Sequence, residues 1–117
     1  MLNWLRTRLR MTPTPAIPSI TPQEAQARVR AGALLLDVRT AAERRALSIA
    51  HSRSVPLDQL PGQLDRLPKD KVLITQCASG NRSRSAAKLL TEHGYEVYNL
   101  SGGIQAWQAA GLPTKRG

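Results

Sequence analysis

Apolar residues in this chain gather in short runs, and between the runs they recur at helical spacing. Ala33-Leu34-Leu35-Leu36-Asp37-Val38, Lys71-Val72-Leu73-Ile74-Thr75-Gln76 and Tyr95-Glu96-Val97-Tyr98-Asn99-Leu100 are the runs. Their length and continuity predict strands covered on both faces, as in a parallel sheet. Helix signals fall between them. Thr21-Pro22-Gln23-Glu24 is a capping box with proline at the first helical position, and Gly32 ends the helix it opens. Thr40-Ala41-Ala42-Glu43 is a second capping box, ahead of a short helix. Leu57, Leu60, Leu64 and Leu67 keep helical spacing, with Pro61 breaking or bending the segment. A helix over about 83–93 stops at Gly94. Ser101-Gly102-Gly103 then turns into a last helix carrying Ile104 and a core Trp107, closed by Gly111 and Pro113. Residues 47–56 are poorly patterned and end in a short strand at Val55-Pro56. Strands alternating with helices predict an α/β fold with parallel pairing and a helix-flanked sheet. In such sheets ligands bind beyond the carboxyl ends of the strands.

At 117 residues the chain reads as one domain, large enough for a core without disulfide or metal staples. Residues 1–18 form a basic tail ending in proline-spaced sequence, 19–114 the domain and 115–117 a C-terminal tail. One cysteine excludes an internal disulfide, and neither His51 nor His93 has ligand spacing to it. No metal or cofactor is therefore expected, and a free thiol suits a reducing, cytoplasmic setting.

The formal charge of +9, from 17 Lys and Arg against 8 Asp and Glu, attracts anions. Nucleic acid fits poorly, because there is no Phe, only two Trp and two Tyr, and the basic residues are dispersed. Arg82, Arg84 and Lys88 follow the cysteine closely and make a small anionic substrate the simpler partner. No apolar run approaches the length of a bilayer span. Residues 1–11 interrupt their apolar positions with arginines, which is no secretory signal. They read as a loose tail, with a transit segment or weak association with a membrane surface as open alternatives.

The chemistry concentrates in Gln76-Cys77-Ala78-Ser79-Gly80-Asn81-Arg82-Ser83-Arg84-Ser85. Cys77 ends a strand, and its loop opens a helix. Backbone N–H groups and the helix dipole there stabilise an anion, which lowers a thiol's pKa and makes it a nucleophile. Around it, Ser79 and Asn81 are turn formers and Gly80 supplies a backbone angle that other residues resist. Arg82 either braces the loop against a carboxylate or contacts substrate.

These residues resemble the rhodanese-like, single-domain sulfurtransferase family over about Ile20–Pro113. Leu35-Leu36-Asp37-Val38-Arg39 with Glu43 is similar to its strand-and-acid signature. Cys77-Ala78-Ser79-Gly80-Asn81-Arg82-Ser83 is similar to its active loop. Gly94-Tyr95 through Leu100-Ser101-Gly102-Gly103-Ile104, with Trp107 and Gly111-Leu112-Pro113, is similar to its closing signature. One stretch departs: Ser48-Ile49-Ala50-His51-Ser52 stands where the family carries a His-Ile-Pro-Gly-Ala-like turn.

The resemblance implies a central parallel sheet of about five short strands. It implies that Cys77 takes a sulfane sulfur from thiosulfate or a persulfide donor, carries it as a persulfide, and yields it to a thiol or cyanide. Residues 78–83 (Ala78, Ser79, Gly80, Asn81, Arg82 and Ser83) would bind substrate as an N–H-lined nest, with Asp37, Arg39 and Glu43 as supporting charges. No histidine base is then needed, because dipoles stabilise the thiolate. Tyrosine phosphatases use Cys-x5-Arg, one residue longer than Cys77-x4-Arg82, and need an acid for the leaving group, so phosphatase or arsenate reductase chemistry ranks behind. The alternative from another class is a non-enzymatic sulfur relay or partner-binding module.

Overall fold

The structure, a computed structural model, describes residues 17–116. Of the basic tail expected over residues 1–18, residues 1–16, with the surface association expected of 1–11, lie outside the described residues, whereas Ile17 packs against the core and the Pro18 carbonyl accepts from the Asn99 amide at 2.9 Å. Strands are β1 (Ser19–Ile20), β2 (Leu34–Asp37), β3 (Ser48–Ile49), β4 (Arg53–Ser54), β5 (Leu73–Gln76), β6 (Val97–Leu100) and β7 (Thr114–Lys115). Helices are α1 (Pro22–Arg30), α2 (Ala41–Ala46), α3 (Asn81–Glu92) and α4 (Gly103–Ala109), with a 3₁₀ segment at Leu57–Arg66.

Among the described residues the main sheet has five strands in the order β1-β6-β5-β2-β4, and every pairing is parallel. The central pair is in register from Leu34 opposite Leu73 to Asp37 opposite Gln76. Apolar side chains leave both faces. Leu36, Val38 and Leu73 pack against the 3₁₀ segment and α3 through Leu60, Leu67, Ala86 and Leu90. Leu35, Ile74 and Leu100 pack against α1 and α4 through Ala25, Ile104 and Trp107. The continuous runs are thus explained by two-sided burial.

Both capping boxes form, with Thr21 and Glu24 at α1 and Thr40 and Glu43 at α2. Pro61, lacking a donor, sits inside 3₁₀ rather than α structure, where the leucine spacing predicts a helix that Pro61 breaks or bends. Tyr95 anchors that segment, its hydroxyl meeting the carbonyls of Leu64 and Leu67.

The poorly patterned stretch holds two strands instead of one, and the second ends at Ser54 rather than Val55-Pro56. The first, β3, pairs antiparallel with β7, Ser48 opposite Lys115 and Ile49 opposite Thr114. His51, in the turn after β3, is the described non-glycine residue with positive φ, at 65°. Among the described residues no helix is long and apolar enough to cross a membrane.

Candidate active site

β5 carries Cys77 to the carboxyl edge of the sheet. The Val38 amide bonds the Gln76 carbonyl at 3.0 Å, so pairing with β2 continues up to the cysteine. The chain then turns through Ala78, Ser79 and Gly80 into α3. Gly80 takes φ 111° as the residue capping that helix, which opens two residues earlier than the apolar pattern indicated. Only glycine enters that region freely.

The turn aims its donors at sulfur. The Gly80 amide lies 3.1 Å from Cys77 Sγ, and Ser83 Oγ lies 3.4 Å from it. Ser83 Oγ also reaches the Gly80 carbonyl at 3.1 Å. With the thiol protonated, sulfur donates to Ser83. With it ionised, the serine proton turns to sulfur. Burial pushes the Cys77 pKa up, but the Ser83 hydroxyl and the amides of Ser83, Gly80 and Ser79 more than offset it, leaving the thiol below its ordinary value. Thr75 Oγ1 holds the Ser83 carbonyl at 2.9 Å, and Asn99 Nδ2 holds that of Gly80 at 3.4 Å. Ala78 is half-buried, while Ser79 and Asn81 face solvent.

Inward-facing amides require outward-facing carbonyls, and α4 receives them. The Ile104 amide donates to the Cys77 carbonyl at 2.8 Å and the Gln105 amide to that of Ala78 at 3.3 Å. Gly103 makes the approach possible. It is buried at φ 60°, and a Cβ there would stand 2.2 Å from the Cys77 carbonyl oxygen and 2.8 Å from Ala78 backbone atoms. Sequence reading treated Gly102-Gly103 as a turn and missed this contact. The glycine pair was the available signal, but its partner lies far upstream in the chain.

The supporting charges divide into two groups. Glu43 pairs with Arg82 through both carboxylate oxygens, at 2.7 and 2.8 Å, tying α2 to the start of α3. Hydrogen bonding from Arg82 is the main cause that holds the Glu43 carboxyl at about 2, and Glu43 in turn raises Arg82. Asp37, fully buried, binds Arg39 Nε at 3.0 Å and Nη2 at 2.8 Å, and Arg44 Nη1 at 3.2 Å. Those arginines continue to the Leu47 carbonyl and to Ser52. Asp37 and Arg39 therefore fasten β2 to α2 and the turn after β3, beside the cysteine loop rather than within it.

The expected cationic cluster disperses in three dimensions. Arg82 is neutralised by Glu43, and Arg84 and Lys88 are exposed along α3. The groups placed to stabilise negative charge on Cys77 Sγ are thus N–H and O–H dipoles.

A parallel α/β sheet that presents a thiol ringed by hydrogen-bond donors between a strand and a helix defines the class of α/β fold to which the chain belongs. Within it, the family model of the rhodanese-like domain matches residues 21–110, and the chain belongs to that family. The "Sulfurtransferase" of Allochromatium vinosum is 41% identical over 81 residues, covering 68% of this chain and 76% of its own. The "Thiosulfate sulfurtransferase GlpE" of Actinobacillus succinogenes is 41% identical over 101 residues, 84% of this chain and 90% of its own. The crystal structure of a rhodanese-related protein from Thermoplasma volcanium superposes with TM-score 0.79 at 34% identity, over 84% of this chain and 97% of that one. At the level of the family, these names point to a rhodanese-type sulfurtransferase.

Proposed function

We propose that this chain is a thiosulfate or persulfide sulfurtransferase whose sulfur carrier is Cys77. The observation that carries the reading is the contact set around Sγ: the Gly80 amide at 3.1 Å, the Ser83 hydroxyl at 3.4 Å, and a thiol pKa below its ordinary value. A histidine base has no part in it.

In the first half-reaction the Cys77 thiolate attacks the outer sulfur of thiosulfate. The new S–S bond forms at Cys77 as the old one breaks, and sulfite leaves with the bonding pair. In the second, cyanide or a thiolate attacks the outer sulfur of the persulfide and Cys77 leaves as thiolate, giving thiocyanate or a new persulfide. Charge and sulfur count balance in both, and the two halves form a double-displacement cycle. Residues 78–83 supply the donors around the transferred sulfur. Cys77 is 1% exposed, which favours a donor presenting a single sulfur atom end-on. Arg82, held by Glu43 through two bonds, braces the loop. A free thiol of this kind fits a reducing compartment such as the cytoplasm.

Intact mass after incubation with thiosulfate tests the reading. A gain of one sulfur, absent in Cys77→Ser and discharged by cyanide as thiocyanate, is the expected result. No gain with thiosulfate or with organic persulfides, the thiol remaining alkylatable, would overturn it in favour of a partner-binding module.

A further inference from the structure

Beside the Cys77 loop runs a groove of about 380 Å³ lined by Val38, Thr40, Pro56, Leu57, Asp58 and Arg82. The segments after β2 and β4 form one side, and the first turn of α3 the other. Main-chain bonds connect its floor to the end of β5, one residue before the cysteine. The Leu57 amide donates to the Val38 carbonyl at 3.1 Å, and the Val38 amide to the carbonyl of Gln76 at 3.0 Å.

The groove exceeds what the transferred atom needs. A water's share of liquid volume is about 30 Å³, so the space holds roughly a dozen. Cyanide fills little of that, whereas pockets of about 300–1,000 Å³ serve small organic molecules. Its floor of Val38, Pro56 and Leu57 offers carbon rather than donors. Its charges are unequal. Arg82 is already paired with Glu43 through two bonds, whereas exposed Asp58 has no ion-pair partner among the described residues. A free anionic end facing a neutralised cation disfavours a carboxylate-bearing guest and favours a neutral or cationic one.

We infer that this groove seats the organic body of the acceptor, an aliphatic thiol whose far end is neutral or cationic. The inference rests on the sulfurtransferase reading. The acceptor's methylenes lie on Val38, Pro56 and Leu57, its far end lies near Asp58, and its sulfur points past Arg82 to the Cys77 persulfide. The thiolate attacks the outer sulfur, the Cys77–sulfur bond breaks, and Cys77 departs as thiolate while the acceptor becomes the persulfide. No outside oxidant or reductant enters.

The test is single-turnover discharge of the thiosulfate-loaded full chain, followed by mass, with cyanide and with 4-mercaptobutanol, 4-aminobutanethiol and 4-mercaptobutyrate. In the series of ω-mercaptoalcohols, each added methylene up to butyl should speed discharge by about fourfold, the factor corresponding to burial of one methylene. Leu57→Asp should lower the ratio of butyl-thiol to cyanide rates by about tenfold, through loss of apolar contact. Asp58→Lys, an exposed change that leaves folding intact, should shift preference from aminobutanethiol to mercaptobutyrate by about fivefold, the size of one exposed charge pair. Rates indifferent to stem length and end charge, or variants that slow cyanide and thiols in equal proportion, would overturn the groove assignment while leaving sulfur transfer standing. A wild-type chain that takes up no sulfur from any donor would instead overturn the sulfurtransferase reading and the groove with it.

Discussion

Replacing Gly103 by alanine is the sharpest probe of how the cysteine loop is held. Two costs combine at this position. Alanine at φ 60° is disfavoured by about 1 kcal/mol relative to glycine. The new Cβ also stands 2.2 Å from the Cys77 carbonyl oxygen, a backbone atom, so α4 and the loop must part by about 1 Å to regain van der Waals contact. That movement stretches the Ile104–Cys77 and Gln105–Ala78 bonds, now 2.8 and 3.3 Å, at about 1 kcal/mol each. The sum is about 3 kcal/mol. Gly111→Ala is the control, because its φ is 76° and nothing lies within 4 Å of its Cβ. Both variants alter the entropy of the unfolded chain alike, so their difference isolates the contact with the loop. At about 4–8 °C per kcal/mol for a domain of this size, Gly103→Ala should melt about 8–16 °C below Gly111→Ala. Released carbonyls let the loop amides turn away from sulfur, so the midpoint of the iodoacetamide rate against pH should rise in Gly103→Ala alone. Equal melting temperatures and equal alkylation midpoints for the two variants would refute this account of the brace.

Other consequences concern single groups. Ser83→Ala removes the hydroxyl that holds the ionised sulfur, so the pH midpoint for Cys77 alkylation should move upward with little change in fold; an unmoved midpoint would leave the amides as sole cause. Glu43→Gln keeps a capping-box residue at α2 but removes the charge that Arg82 holds. Since Glu43 is held at about 2 against an ordinary 4.5, its stabilisation is present above about pH 4.5 and disappears as pH falls toward 2. The pair is about one-third exposed, so denaturant unfolding should show a loss of about 1 kcal/mol at neutral pH, with variant and wild type converging near pH 2. His51→Gly relieves a side chain held at φ 65° and should raise stability by about 0.5 kcal/mol, the unfolded-state entropy of glycine taking back part of the gain; a lower melting temperature would show that His51 makes a favourable contact.

Much of this was readable along the chain because its causes are local. A threonine and a glutamate three residues apart are enough to start a helix, and both capping boxes form. Leu34-Leu35-Leu36 and Leu73-Ile74 declared buried parallel strands because both faces needed covering. The position of Cys77 between such a strand and a helix was equally local. Pro61 marked a fault in its helix, but the bond from the distant Tyr95 hydroxyl to the Leu67 carbonyl, which anchors the end of the 3₁₀ segment, was not legible.

Only the folded chain decided where charge acts. Arg82, Arg84 and Lys88 are neighbours in sequence, yet helix geometry sends the last two to solvent and brings the first to Glu43, whose carboxylate comes from another helix. The pairing of β3 with β7 joins two-residue strands from distant parts of the chain, too short to carry a period of their own. The orientation of the cysteine loop depends on Gly103 admitting α4 to within hydrogen-bond reach of two carbonyls. The sequence by itself determined the three longer strands, both capping boxes and the place of Cys77 between a strand and a helix, since neighbouring residues specify them. The fold determined which dipoles and charges surround that thiol, because electrostatic and steric contacts depend on distance in space, and close contacts here join residues far apart in the chain.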